Sequence, residues 1–239
     1  MIRTIRRTRS ALHRHTLSEI LTLLVPTVKA EWKRPFQRTP ESSPFDSRTG
    51  LDTDRIVEIC DLGVESTNIR HAVRYQPSDP EVVRDALSQL PIDYSNFTFV
   101  DFGAGKGRVL LIAAGFGFKK IRGVEFSSQL VDIAKGNMAK VDMTKGRSVD
   151  IEILQADVLD FPIPTEPLVC YFYNPFQRPI METLSQRLIS SSRSHSRDLY
   201  VIYVHPQHRV IFDSKKEWTR CVDRSGFVIY KSLSGMARI

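Results

Sequence analysis

Two carboxylates flank a glycine loop in an arrangement that can hold a nucleoside. FVDFGAGKGRVLLIAA, residues 99–114, reads as a strand, a tight loop and a helix. Gly103, Gly105 and Gly107 remove Cβ atoms where the backbone must turn sharply and approach a ligand. Asp101 stands near the end of the apolar strand, and Glu125 closes the next one, 22 residues after Gly103. One helix and one strand consume that interval. It brings Glu125 beside the loop, where it can accept hydrogen bonds from ribose hydroxyls. A third constellation, Asn174-Pro175-Phe176, follows the apolar run LVCYFY at 168–173. His205 follows LYVIYV at 199–204; it can serve as a base or as a structural group.

Asp101 and the loop chemistry decide which nucleotide fits. A dinucleotide needs the loop and the helix start for its pyrophosphate, whereas a carboxylate at the first strand end suits an ammonium group. S-adenosyl-L-methionine offers an amino group, a ribose diol and no phosphate, so two acidic strand ends match it better. Lys106 leaves a phosphate reading open, although GxxxxGK[ST] is absent. No His, Cys or acidic cluster has metal-ligand spacing.

The elements that must position these residues alternate. Apolar runs predict strands at 98–102, 121–125, 151–155, 168–173, 199–204 and 227–232, with helices at 107–117, 128–139 and 178–191. Such β-α-β units cross over right-handed and place sites at the carboxyl ends of the strands. The fold class is therefore α/β, a Rossmann-like, doubly wound, mostly parallel sheet. Residues 78–90 carry helix-start signals, with Asp79 as N-cap and Pro80 at the first position. Residues 206–226 are expected to give a short helix and an edge strand. Residues 16–33 have helical apolar spacing broken at Pro26, and 34–50 read as a linker or ordered loop. The division is a basic N-terminal extension over 1–44 and a catalytic domain over 45–239.

VDFGAGKGR, GVEFS, QADVLDF and YNPF resemble the four motifs of class I S-adenosylmethionine-dependent methyltransferases, over about residues 73–204. Within that superfamily the pattern is similar to bacterial proteins assigned only as methyltransferases. More distantly it resembles the non-SET histone lysine methyltransferases and the lysine methyltransferase of the ATP synthase c subunit, whose segment before the first motif is similar to RYQPSDPEVVRDAL at 74–87. The resemblance implies that Asp101, Gly103, Ala104 and Gly105 lie along the methionyl part, with Gly107 completing the loop. Glu125 would take the ribose hydroxyls, or act as a helix cap. Phe126 would flank the adenine or belong to the core. Asp157 would accept from the adenine amino group or form a turn, and Val158 would offer its backbone N–H. Asn174, Pro175 and Phe176 would meet the methyl acceptor; many amino-group methyltransferases have two prolines there, and this chain has one. Tyr75 and Pro77 resemble a lid element, which Phe45, Asp46, Gly50 and Thr53 would complete.

The implied activity is methyl transfer to an amine, a protein lysine being favoured. Small-molecule or nucleic-acid methylation, an NAD-dependent oxidoreductase and a non-catalytic nucleotide-binding protein are the rivals. In 239 residues the formal charge is +7, and nine Lys or Arg against two Glu in residues 1–40 account for all of it. That arm can contact nucleic acid or another anionic surface, or be a solvated tail. Cys60, Cys170 and Cys221 are far apart and form no CxxC pair, which fits a reducing compartment. No apolar stretch is long enough to span a bilayer. A cytoplasmic location is expected, or an organellar one if the Arg-, Ser- and Thr-rich first eighteen residues are a transit segment.

Overall fold

The computed structural model describes residues 44–58, 75–140 and 150–233. All fall in one compact unit, Ser42–Ile239. The basic arm, the transit reading and the helix expected at 16–33 lie outside the described residues. The chain forms helix α1 (Pro44–Thr49), α2 (Pro80–Ser88), strand β1 (Thr98–Phe102), α3 (Arg108–Ala114), β2 (Lys120–Glu125), α4 (Ser128–Lys140) and β3 (Asp150–Gln155). It continues with β4 (Leu168–Tyr173), α5 (Arg178–Ser194), β5 (Leu199–Val204), α6 (Val210–Asp213), β6 (Trp218–Arg224) and β7 (Phe227–Ser232).

The strands form one sheet in the order β3-β2-β1-β4-β5-β7-β6. β1 through β5 pair in parallel, and β7 runs antiparallel to both β5 and β6. Only Ser225 and Gly226 separate β6 from β7, and Gly226 has φ +102, so the chain must reverse as a hairpin. Side chains alternate between two apolar layers. Phe99, Val169 and Tyr171 pack with Leu87 of α2 and Leu110 of α3. Val100, Phe102, Cys170 and Phe172 pack with Leu184 of α5 and Phe212 of α6. Residues from β1, β4 and β5 are thus buried on both faces, as the interior of a parallel sheet requires.

Most of the expected elements form within a residue or two. Asp79 caps α2 by accepting from the Glu81 N–H at 2.9 Å. The tail gives the short helix α6 and the edge strand β6. Two expectations change. α3 is shorter than 107–117, because Gly115 and Gly117 (φ +80) end it. Residues 44–49, expected within a linker or ordered loop, form a helical turn closed by the Thr49 hydroxyl donating to Phe45 O at 2.6 Å and Gly50 N–H donating to Asp46 O at 2.7 Å. Among the described residues no helix is long and apolar enough to cross a membrane.

Candidate active site

The carboxyl ends of β1, β2, β4 and β5 meet in a cavity of about 550 Å³. The glycine loop is its floor. Gly105 has φ +54, and a Cβ there would stand 2.3 Å from the Tyr75 ring. Gly103 has φ +86, and a Cβ there would stand 2.8 Å from Pro175. These two glycines let the expected lid and the expected acceptor turn close onto the same loop. Gly105 N–H donates to Glu125 Oε2 at 2.9 Å and Ser127 N–H to Oε1 at 3.0 Å, so Glu125 holds the loop against the start of α4. Burial raises the Glu125 pKa, and the backbone N–H groups of Ser127, Gly105 and Phe126 oppose that rise. A carboxylate offers about four lone-pair positions, so these bonds still leave one for a ribose hydroxyl.

Asp101 differs from Glu125. It is 3% exposed and lines the cavity. Burial, and then the charge of Glu125, push its pKa well above the ordinary carboxyl value. A buried carboxylate without a donor is costly unless a cation or donor completes it. Lys106 does not complete it. Its ammonium is 1% exposed and pairs with Asp52 at 2.9 Å, beneath the Tyr75 ring.

The acceptor side lies across the cavity. Asn174 has φ +41, a left-handed conformation that Asn tolerates better than most residues. Pro175 and Phe176 follow on the wall, and Phe176 is 6% exposed. His205 also adopts a left-handed φ of +46 and packs edge-on to Tyr173, ring centres 5.3 Å apart. Tyr203 joins the two turns. Its hydroxyl donates to Asn174 Oδ1 at 3.3 Å and accepts from His208 N–H at 3.3 Å.

Of the residues singled out in the sequence, Tyr75, Asp101, Gly103, Ala104, Glu125 and Phe126 line the cavity. Asn174, Pro175, Phe176 and His205 line its other side. The expected lid residues Phe45, Asp46, Gly50, Thr53 and Pro77, with Lys106, are not on the wall, nor are Gly105, Gly107, Asp157 and Val158. Gly105 lies beneath Tyr75, and Gly107 (φ +81) packs on Ala134 as the N-cap of α3. Asp157 forms a turn, Oδ1 accepting from Leu159 N–H at 2.9 Å. Val158 is buried, its carbonyl accepting from Arg187 at 3.0 Å. Sequence reasoning missed Arg108, Tyr171 and Tyr203. Tyr171 pairs in register with Asp101 and meets the Ser78 hydroxyl at 3.3 Å.

No family model matches the chain. Over 82 residues it is 34% identical to the ribosomal protein L11 methyltransferase of Shewanella frigidimarina (strain NCIMB 400), a stretch that is 32% of this chain and 28% of that protein. The chain therefore spans less than a third of that relative's length. Among solved structures, a SAM dependent methyltransferase from Aquifex aeolicus aligns with 13% identity and TM-score 0.46, over 64% of this chain and 98% of that one. An RNA methyltransferase from Salinibacter ruber, in complex with S-adenosyl-L-homocysteine, aligns with 19% identity and TM-score 0.43, over 65% and 92%. The sheet itself combines five parallel strands in the order 3-2-1-4-5 with an antiparallel seventh strand placed inside the sixth, above a glycine loop and an acidic second strand end. The chain has the class I methyltransferase fold. In this methyltransferase fold the residues present fit S-adenosylmethionine: the Asp101 carboxyl is buried on the cavity wall, Glu125 keeps a position for a ribose hydroxyl, and the Lys106 ammonium of the loop is paired with Asp52 rather than offered to a pyrophosphate.

Proposed function

We propose that this protein transfers a methyl group from S-adenosylmethionine to an amine nitrogen, a protein lysine being the favoured acceptor. The observation that carries this reading is that the buried carboxyl of Asp101 and the Asn174 turn line one cavity. The name of the relative matched over 82 residues, a ribosomal protein L11 methyltransferase, supports a protein acceptor.

When bound, the cofactor supplies a methyl group already activated on a sulfonium, so the protein contributes alignment, water exclusion and the right acceptor protonation state. Asp101 would take the ammonium and Glu125 the ribose hydroxyls. Phe126 would flank the adenine. Asn174 Oδ1, with one lone pair engaged by Tyr203, keeps another for an N–H of the attacking amine. Phe176 and Tyr173 make that mouth apolar, and desolvation lowers the pKa of an entering ammonium toward the neutral, nucleophilic form.

Tritiated-methyl labelling of cell extract, split by protease, nuclease and size filtration, tests the reading. Label in protease-sensitive material, resolved to methyl-lysine by mass spectrometry, is the expected result. Label only in nuclease-sensitive or low-mass material overturns the protein acceptor, and no label in any fraction overturns the activity.

A further inference from the structure

Beyond its cavity face, the glycine loop carries a second, largely buried network that the methyl-transfer reading does not use. Arg108, the first residue of α3, is 5% exposed. Its Nε donates to the Thr53 hydroxyl at 2.6 Å and Nη1 to Ser78 O at 3.1 Å, while Nη2 meets Asp46 Oδ1 at 3.5 Å and Asp54 Oδ1 closely. Four of the five guanidinium N–H groups are thereby committed. Asp46, 4% exposed, also accepts from Thr53 N–H at 2.5 Å and Asp54 N–H at 2.8 Å. Thr53 passes the connection on: its carbonyl accepts from the Tyr75 hydroxyl at 2.7 Å. Val57 and Tyr75 also bridge through their backbones at 3.0 and 3.3 Å.

A second clasp holds the same segment. Asn137 of α4, 1% exposed, accepts from Asp52 N–H at 2.9 Å and donates to Asp52 O at 2.9 Å and Lys106 O at 3.0 Å. The Asp52 carboxylate closes the loop on Lys106. Both clasps converge on one place, the Tyr75 ring lying on Gly105.

We propose that residues 44–58 form a strap whose set point is Arg108, and that Arg108 is a positioning residue for cofactor binding because it fixes, through Thr53 and Asp46, where Tyr75 closes on the glycine loop. This rests on the cofactor site described above. The choice of chemistry supports it. A buried ion pair is a poor means of stabilising a fold compared with apolar side chains of similar volume, but it specifies one geometry. Apolar packing would let the strap slide. The Arg108 fork, meeting one hydroxyl, one carbonyl and two carboxylates, permits one register.

The test uses Arg108→Lys, Tyr75→Phe and the double variant, each first shown to melt cooperatively. S-adenosylhomocysteine affinity is read by titration calorimetry and its dissociation rate by stopped flow. Arg108→Lys should weaken binding about tenfold or more, mainly through faster dissociation, because a lysine cannot reproduce the fork. Tyr75→Phe keeps the ring and removes the tether to Thr53; it should weaken binding several-fold. The double variant should bind no more weakly than Arg108→Lys alone, since both changes release the same strap. Affinity within twofold of wild type for Arg108→Lys overturns the proposal. So do fully additive losses, which would mean that Arg108 acts independently of Tyr75. Should Arg108→Lys not fold, Asp46→Asn replaces it with the same expectations. Asp101→Asn, which touches no strap residue, serves as the reference. If it too binds normally, the cofactor placement is wrong; if it alone loses binding, only the strap is.

Discussion

The two ends of the cavity are built differently. At the cofactor end, Glu125, Arg108, Asn137 and Asp46 each make two or more hydrogen bonds, most between 2.5 and 3.1 Å, beside the buried Asp101 carboxyl. At the acceptor end, the Asn174 carboxamide is held by one 3.3 Å contact, and two non-glycine residues, Asn174 and His205, sit in left-handed conformations at the ends of adjacent strands. Preformed order at one end and a lightly held turn at the other teach that cofactor capture and acceptor alignment can be altered separately.

The sharpest way to break this comparison is Asn174→Ala. It should lower turnover by about a hundredfold or more while S-adenosylhomocysteine affinity stays within about twofold, because misalignment harms the reacting geometry rather than remote binding. Single-turnover kinetics beside calorimetry measures both, and an equal loss in both would merge the two ends into one unit.

Asp101→Asn probes the other end. Removing the charge-assisted acceptor should weaken S-adenosylhomocysteine by about 1.5–3 kcal/mol. A pH dependence accompanies it. The folded Asp101 carboxyl holds its proton well above the ordinary value of 3.8, through burial first and the Glu125 charge second. Its contribution to the stability of the free protein is therefore fully present below that value and is lost as pH rises through the raised folded pKa. The ligand ammonium compensates the ionised form, so the rise in Tm caused by S-adenosylhomocysteine should grow with pH above the ordinary carboxyl range. Asp101→Asn should flatten that growth in the same melting series.

The smallest effect sharpens the contrast. Tyr203→Phe removes the hydroxyl that orients Asn174, and turnover should fall by several-fold, about 1 kcal/mol, with unchanged cofactor affinity. In the Asn174→Ala background it should do nothing further. An effect of Tyr203→Phe on S-adenosylhomocysteine binding would show that the acceptor turn and the glycine loop are coupled through Pro175.

What the sequence disclosed follows the range of the interactions. The glycine loop, Glu125 and the Asn174 turn were legible because each is local to a strand end, and strand ends follow from apolar periodicity. Asp79 was legible because a cap acts two residues away. Arg108 was not, although it stands directly after Gly107. Its partners Asp46, Thr53 and Asp54 lie 54 to 62 positions upstream, and although Asp46 and Thr53 were read as completing a lid, nothing in the sequence ties them to Arg108. Tyr203 looked like one more strand residue, since nothing in LYVIYV separates a core tyrosine from one whose hydroxyl reaches a neighbouring turn. Asp157 carries the mark of both an adenine partner and a turn, and its side chain closes the turn.

The strap also sets a hierarchy of local stability. Among the described residues, it joins the sheet and its helices by bonds that have a side chain on at least one end, whereas the strands are laddered backbone to backbone. It can lift away without breaking a rung of the sheet, so its amides belong to an opening unit of lower free energy than the core. The amide protons of Thr53 and Asp54, both held by the Asp46 carboxylate, would then exchange with solvent deuterium before those of β1 and β4 and report the opening of the cofactor cavity from the outside.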